Sequence, residues 1–306
     1  MSNSVLKKAV LSFLLLVLPA ALSGIGLPGS AGTAGSGRAE ASSPQAAQEA
    51  PLRFGVLYLL SPKELYERWT PFAEYLSRKA GRKVDLVVPR NFDHLVELAR
   101  SGQLDLLFVN PYVYILLKKE IGIEAVAAQV AYGNTFAPSH LIVRKDSGIK
   151  TLDDLRGKKI AFVSHLASSG YVVPRAYLMS QGIDVDREMK VVFTKNLPGT
   201  LLSVLNREVD VAGMCGVNYA NLSRRINTEG VEILRTTEVS PRLPLVVRKG
   251  MDRALVAKIK TAAIGLKTDP EAGPTLKALD FDGFDPITDA EYDGIRKLAR
   301  QTGLPH

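Results

Sequence analysis

The sequence is poor in the residues that form disulfide bonds and metal sites. It contains one cysteine, Cys215, and four histidines among 306 residues. A single cysteine excludes an intramolecular disulfide and any cysteine cluster for zinc. The histidines have no spacing typical of metal ligands (His94, His140, His165 and His306). We therefore expect no metal site and no cofactor.

The sequence also lacks the motifs of common enzymes. It has no GxSxG nucleophile elbow, Walker A loop, GxGxxG turn or HExxH zinc motif. Ser168 lies three residues after His165, but this spacing across a strand-to-loop turn does not indicate a catalytic triad, and no acid is identified to orient the histidine. An enzyme is therefore the disfavoured class, and we expect no catalytic residue.

No long basic run is present either, although the chain is basic overall. Its 39 lysines and arginines exceed its 31 acidic residues, which gives a net charge of +8. The basic residues are scattered singly or in pairs, so nucleic-acid binding is not supported. A mildly positive body suits either a small anionic ligand or an ordinary solvated surface.

The N-terminal region has the pattern of an export signal. Lys7 and Lys8 precede the apolar run AVLSFLLLVLPAALSGIGL, which Pro19 interrupts. This pattern favours a secretory signal peptide over a membrane anchor. We expect residues 1–41 to be signal peptide and flexible leader, with cleavage near residue 31 or 41. No leader cysteine is available for lipidation, so we expect a soluble, monomeric periplasmic protein.

The body of the chain alternates between strand-like and helix-like segments. Apolar runs of strand length include LRFGVLYLL, KVDLVVP, LDLLFVN, KKIAFVS and DVAGMCG. Amphipathic segments between them predict helices, of which the first has Ser61 as its cap, Pro62 in its first turn and Gly81 as its stop. This alternation predicts an α/β fold with mainly parallel sheets that are flanked by helices.

About ten predicted strands are many for one open sheet of this length, which favours two lobes. Two extended segments that contain proline, near 135–140 and 236–243, are candidates for crossings between the lobes. We expect residues 51–138 plus 241–306 to form lobe 1 and residues 139–240 to form lobe 2. A ligand in such an architecture binds between the lobes, at the carboxyl ends of strands.

The stretch SHLASSGYVVPRAYLMSQG places Ser168, Ser169 and Gly170 just before a helix-spaced apolar run. Two interpretations are open from these residues alone. The serines are either ordinary helix caps or part of an anion site, because a helix N-terminus presents free N–H groups.

Several segments resemble one known family. These are RWTPFAEYLSRKAGRKVDLVV, LARSGQLDLLFVNPYVY, HLIVRKDSGIKTLDDLRGKKIAFV, SSGYVVPRAYL and LLSVLNREVDVAG. They resemble, in family order, the periplasmic substrate-binding proteins of phosphonate, phosphite and phosphate ABC transporters. The resemblance implies the type II periplasmic binding protein fold and favours the anion-site interpretation of the serines.

The resemblance also implies ligand contacts from both lobes. The SSGY segment corresponds to a Ser/Thr-rich turn that relatives use against phosphonate oxygens. The Asn110-Pro111 turn stands where relatives usually have a Gly-Pro turn, and Tyr114 corresponds to an aromatic residue that lines the cleft. The predicted ligand-binding residues are therefore Ser168, Ser169, Gly170, Tyr171, Asn110 and Tyr114.

Further candidates come from position alone, and each has an equally good structural interpretation. Tyr58 and Tyr132 lie at or just beyond strand ends, His165 lies beside the serines, and Asn196 lies near the start of a helix. Cys215 lies where a strand should end at the cleft, but free cysteines are commonly buried, so we interpret it as a core residue.

The expected function is capture of a small oxyanion (a phosphonate, phosphite or phosphate) in the cleft for an ABC permease. Two departures from the family pattern leave another oxyanion open. One hydroxyl is missing at Ala167, and Leu197 and Pro198 stand where relatives often have a histidine. The alternative is the input component of a membrane sensor kinase for an oxyanion such as arsenite.

Overall fold

The computed structural model describes residues 50–131, 133 and 136–306. The predicted signal peptide and leader lie outside the described residues, as does Tyr132. The strands are β1 (Leu52–Val56), β2 (Val84–Val87), β3 (Leu106–Phe108), β4 (Glu124–Val130), β5 (Phe136–Arg144), β6 (Lys159–Phe162), β7 (Lys190–Phe193), β8 (Val211–Cys215), β9 (Val231–Pro241), β10 (Pro244–Val247) and β11 (Gly283–Asp285).

The helices are α1 (Pro62–Ala80), α2 (Phe92–Arg100), α3 (Pro111–Ile121), α4 (Val173–Ser180), α5 (Val185–Glu188), α6 (Leu197–Leu205), α7 (Gly216–Ser223), α8 (Arg253–Gly265), α9 (Gly273–Leu279) and α10 (Asp293–Gln301). One π-helical turn, Ser168–Val172, leads directly into α4. We call this segment the serine turn.

The described strands form two sheets within one compact unit. The first sheet has the order β11-β4-β10-β3-β1-β2, and the second has the order β7-β6-β8-β5-β9. The predicted α/β class with two sheets is confirmed. The pairing is mixed instead of mainly parallel, because β10 runs antiparallel to β3 and β4 and because β5 runs antiparallel to β8 and β9.

The chain passes between the sheets twice, in the regions where proline-containing crossings were predicted. It leaves the first sheet after β4 and returns at β10, and the two crossing strands β5 and β9 pair with each other. The pairing begins at Phe136 opposite Pro241. The predicted lobe boundaries stay a prediction, but each sheet contains the strands expected of one lobe.

The first helix shows how local sequence sets the element ends. Ser61 accepts a hydrogen bond from the Glu64 N–H, while the Glu64 carboxylate accepts one from the Ser61 N–H. This reciprocal pair is a capping box, and it also lowers the pKa of Glu64. Gly81 ends the helix in the left-handed region at φ 70°, a conformation that favours glycine.

Two groups of buried side chains form the core. One surrounds Phe54, Phe72 and Phe284 between the first sheet and helices α1, α8 and α9. The other joins residues from both sheets, including Leu117 of α3 and Val172 of the serine turn. Because this second group is continuous, apolar packing joins the two sheets.

Candidate functional site

Two adjoining cavities lie between the two sheets. The small cavity has a volume of about 40 Å³ and is lined by the serine turn, Asn110 and Thr200. The large cavity has a volume of about 280 Å³. Residues that follow the carboxyl ends of strands line both cavities, which is the expected place for a ligand in an α/β sheet. The cavities share the polar residues Ser169, Cys215 and Asn218.

The serine turn forms one wall of the small cavity. Ser168 is 2% exposed, and its hydroxyl lies 3.3 Å from the hydroxyl of Ser240 on the crossing strand. Ser169 is half-buried and lines both cavities. The N-cap position is Ala167, which makes no side-chain capping bond. The interpretation of Ser168 and Ser169 as helix caps is therefore wrong.

The backbone of the serine turn offers hydrogen-bond donors. The Val172 N–H donates to the Ala167 carbonyl at 3.1 Å, and this bond opens the helical ladder. The N–H groups before it, including those of Ser169 and Gly170, have no intrahelical partner because they precede the first turn. A Cβ added at Gly170 would lie 3.2 Å from Val163 Cγ1, so even alanine there requires a small shift of Val163 and a larger residue requires more.

Asn110 connects the small cavity to both sheets. It caps α3, because its Oδ1 accepts hydrogen bonds from the N–H groups of Tyr112 and Val113. Its Nδ2 donates to the Leu166 carbonyl at 2.9 Å, just before the serine turn. Asn110 is 5% exposed. It is thus a buried hydrogen-bonded link from the first sheet to the second.

The described lining of the small cavity contains no charged side chain. Its polar groups are hydroxyls, amides and backbone N–H donors, and the positive end of the α4 dipole faces the same region. Such a lining can bind an anion through hydrogen bonds and the helix dipole without forming an ion pair.

Two predicted contact residues do not line either cavity. The ring of Tyr171 packs edge-on against Phe162 at 5.1 Å, and Arg175 donates to its hydroxyl. The hydroxyl of Tyr114 donates to Asp289 at 2.6 Å, and burial together with this contact raises its pKa. Both tyrosines are core residues because their hydroxyls have partners away from the cleft.

Three candidates that were chosen by position, Tyr58, His165 and Asn196, also lie outside the cavity linings. Tyr58 is half-buried and packs against the first core group. His165 is exposed, with Nε2 3.5 Å from Asp93 across the sheets. Asn196 caps α6 by accepting a hydrogen bond from the Gly199 N–H at 2.7 Å.

Sequence reasoning missed the four arginines that line the large cavity (Arg68, Arg224, Arg225 and Arg242). Arg242 is 2% exposed, and its Nη2 donates to Gln129 Oε1 at 3.0 Å. Arg68 lies 3.5 Å from Asp280. Burial lowers the pKa of Arg68, and Asp280 opposes this shift. The sequence contains one signal for this site: Arg242 is the single charged residue in the segment SPRLPLVV, which is otherwise mostly apolar.

Cys215 is not a core residue, contrary to our expectation. It is half-buried at the end of β8 and lines both cavities. The strand ends at Cys215 and α7 begins at the next residue, so Cys215 lies at the carboxyl end of the strand, beside the cavities.

Two further properties concern the chain as far as the structure describes it. No group of three or more His, Cys, Asp or Glu side chains in this part could hold a metal ion. None of the helices described is both long and apolar enough to cross a bilayer.

Two mixed sheets joined by two crossings, with cavities between them at the strand ends, define a two-lobed α/β binding protein. Residues 54–292 match the family described as "ABC transporter, phosphonate, periplasmic substrate-binding protein". The chain belongs to this family, whose members are substrate-binding proteins of transport systems.

Individual relatives agree with this assignment. The chain is 27% identical to the phosphonates-binding periplasmic protein of Escherichia coli, over 82% of this chain and 77% of the relative. It is 23% identical to the phosphate-import protein PhnD of Mycolicibacterium smegmatis, over 78% of this chain and 82% of the relative. Its fold is similar to PhnD1 of Prochlorococcus marinus, solved in complex with methylphosphonate, with a TM-score of 0.75 and 17% identity over 82% of this chain and 98% of that one.

Proposed function

We propose that the chain captures a phosphonate or phosphate in the small cavity and presents it to an ABC permease. The observation that carries this proposal is the serine turn. It combines buried hydroxyls with free backbone N–H groups at a helix N-terminus, and its serines are not caps. Relatives named for phosphonate and for phosphate support this ligand class.

The size of the small cavity supports a single oxyanion group. A volume of about 40 Å³ corresponds to roughly three water-sized positions, and a phosphonate carries three oxygens. Hydrogen bonds from neutral donors to a charged oxygen contribute about 1.5–3 kcal/mol each. Two or three such bonds contribute about 3–9 kcal/mol in total, whereas a micromolar Kd corresponds to about 8 kcal/mol. The helix dipole and further N–H donors therefore have to supply the cost of association as well.

Contacts between the sheets support a closed, ligand-competent arrangement. Asn110 donates to Leu166 at 2.9 Å, and Glu64 pairs with Arg225 at 3.0 Å. A ligand that contacts both lobes stabilises the closed form by its differential affinity. We propose that closure about the two crossing strands is the signal to the permease, as in other hinged binding proteins.

The location of the protein is part of the same proposal. Family membership supports a periplasmic protein, and we propose that residues 1–41 contain the export signal, which is cleaved near residue 31 or 41. Expression with the native N-terminus in a bacterial host should give a shortened monomer in the periplasmic fraction. Mass spectrometry and size-exclusion chromatography test this, and an uncleaved chain that is recovered only in detergent would contradict it.

The binding site is tested with two serine variants on one helical segment. Ser169→Ala removes a cavity hydroxyl, whereas Ser180→Ala removes an exposed hydroxyl that donates to the Tyr177 carbonyl at the far end of α4. Loss of one bond to a charged oxygen predicts a tenfold to hundredfold weaker affinity, roughly, for Ser169→Ala. Ser180→Ala should bind like the wild type.

The titration uses phosphate, methylphosphonate, sulfate and arsenite as ligands. We expect phosphate or methylphosphonate to bind most tightly. Equal affinities of the two serine variants would place the ligand away from the serine turn. Binding of arsenite alone, abolished by Cys215→Ala, would favour the sensor alternative.

A further inference from the structure

The cleft offers more room than a phosphorus oxyanion needs. The small cavity has a volume of about 40 Å³, and the large cavity beside it has a volume of about 280 Å³. Ser169 of the serine turn and Leu243, between β9 and β10, line both cavities. A ligand whose phosphorus group lies at the serine turn can therefore extend a substituent directly into the large cavity.

An aromatic cluster forms one wall of the large cavity. The ring centre of Trp69 lies 4.5 Å from that of Phe108 and 6.1 Å from that of Phe281, and all three residues line the cavity. They also belong to the first core group, which holds the rings in place. A wall that is packed in this way is preorganised, which lowers the cost of ligand binding.

Aliphatic side chains extend this apolar lining. Leu59, Leu60, Val217 and Leu243 line the large cavity, and each of them is half-buried. Their remaining exposed surface is apolar, so a carbon substituent that covers it binds more favourably than water does.

The charged side chains of the large cavity already have partners. Within the described lining they are four arginines and one aspartate (Arg68, Arg224, Arg225, Arg242 and Asp280). Arg68 lies 3.5 Å from Asp280, and Arg225 lies 3.0 Å from Glu64. The other two arginines also take part in interactions. A second charge on the ligand would compete with these contacts and would lose its own hydration, so the cavity favours a substituent without charge.

We propose that the ligand of this site is a monosubstituted phosphorus oxyanion with an uncharged, apolar substituent: an alkyl- or arylphosphonate, or the corresponding phosphate monoester. The substituent lies against the wall formed by Trp69, Phe108 and Phe281. This inference rests on the proposed binding of the phosphorus group at the serine turn, and it adds the chemistry of the rest of the ligand.

A ligand series tests the proposal by calorimetric titration into the chain expressed with its own N-terminus. Methylphosphonate, propylphosphonate and phenylphosphonate differ in apolar area, whereas 3-aminopropylphosphonate and 3-phosphonopropionate add a charge to a chain of similar length. Two additional methylene groups predict about tenfold tighter binding of propylphosphonate than of methylphosphonate, and phenylphosphonate should bind more tightly still. Both charged ligands should bind at least about tenfold more weakly than propylphosphonate.

Phenyl phosphate distinguishes the two sources of such a ligand. Tighter binding of phenyl phosphate than of phenylphosphonate would identify a phosphate monoester, and the reverse order would identify a phosphonate. Either ligand should bind more tightly than methylphosphonate, and weaker binding of both would refute the apolar substituent.

Two leucine variants locate the substituent. Leu60→Asn places an amide in the large cavity, which Leu60 lines without lining the small one. Leu202→Asn is the matched control, because Leu202 is 38% exposed on α6 and lines neither cavity. Leu60→Asn should reduce the preference for phenylphosphonate over methylphosphonate by at least about fivefold and leave methylphosphonate affinity within about twofold, whereas Leu202→Asn should keep the wild-type order. Val217→Thr, a nearly isosteric change in the large cavity, should act in the same direction and provides the test if Leu60→Asn does not fold.

The outcomes separate this inference from the function on which it rests. If methylphosphonate binds but propylphosphonate and phenylphosphonate bind no more tightly, or if a charged ligand binds more tightly than propylphosphonate, the apolar substituent is refuted and the serine-turn site stands. If no phosphonate binds the folded wild type, both are refuted. Trp69 is the single tryptophan of the sequence, so its emission should shift much more with phenylphosphonate than with methylphosphonate. An equal response to both ligands would contradict the placement of the substituent.

Discussion

The hydrogen bond from Asn110 to Leu166 makes a specific prediction about lobe closure. Asn110→Ser keeps a side-chain oxygen that can cap α3, because serine and asparagine are similarly good caps. The shorter side chain cannot reach the Leu166 carbonyl, which Asn110 contacts at 2.9 Å. The substitution therefore removes the link between the sheets without adding a charge to the small cavity.

The cost follows from the burial of this link. One lost neutral hydrogen bond costs about 0.5–1.5 kcal/mol, and a buried carbonyl left unsatisfied adds about 1–3 kcal/mol. Some of this cost is recovered if water enters, so a net 1.5–3 kcal/mol is expected, roughly. Under the proposed closure, opening of the lobes breaks this contact, so its removal should lower ligand affinity by about tenfold to hundredfold.

Asn196→Ser is the matched control, because Asn196 caps α6 at an exposed position and lies outside both cavity linings. Calorimetry with methylphosphonate gives the affinities, and X-ray scattering of the ligand-free proteins gives the radius of gyration. Asn110→Ser should bind more weakly and be more expanded than the wild type. Equal affinity and equal radius for Asn110→Ser and Asn196→Ser would refute the closure role.

Three further predictions concern stability and the serine turn. Tyr114→Phe removes the 2.6 Å hydrogen bond to Asp289. It should lower the free energy of unfolding by about 1.5–3 kcal/mol and leave methylphosphonate affinity unchanged. Weaker binding at unchanged stability would indicate that Tyr114 contacts the ligand. Hydrogen bonding to Lys79 lowers the pKa of Asp269 from 3.8 to about 2. The stability that this ionised carboxylate contributes is therefore present above about pH 4 and is lost as the pH falls towards 2. In urea unfolding at a series of pH values, Asp269→Asn should lose less free energy of unfolding between pH 4 and 2 than the wild type. An equal loss in both proteins would contradict the ion pair. Gly170→Val should reduce the ligand-induced thermal shift much more than Gly170→Ala, because the additional methyl groups crowd Val163. Equal shifts for the two variants would mean that a larger side chain at this position does not disturb the serine turn.

Local sequence patterns predicted those features of helices and strands that depend only on neighbouring residues. Ser61, Pro62 and Gly81 bound α1 as expected, because caps and left-handed stops depend on neighbouring residues. The α/β class also followed from local alternation. The antiparallel direction of β5 and β10 could not be predicted in this way, because strand direction depends on pairings between distant segments.

The site was predicted only in part, for a related reason. The serine turn, which lines the small cavity, was predicted as a candidate because a helix N-terminus with adjacent hydroxyls is visible in the sequence. Tyr114 and Tyr171 were predicted to line the cleft, but their hydroxyl groups form hydrogen bonds with Asp289 and Arg175 instead. Neither partner can be identified from the sequence, because both are distant from the cleft segments or depend on the packing of the fold. Arg242 was missed because an isolated arginine is usually exposed, and only the fold places this one at a cavity.

The central claim is that a phosphorus oxyanion binds beside the serine turn. Cys215 is the one cysteine of the sequence, and it lines both cavities, so the rate of its modification by a maleimide reports directly on the cleft. The account predicts that saturating phosphate or methylphosphonate slows labelling of the wild type, and that the same concentration protects Ser169→Ala much less. Labelling at an unchanged rate in the wild type with either ligand, or equal protection of Ser169→Ala, would contradict it.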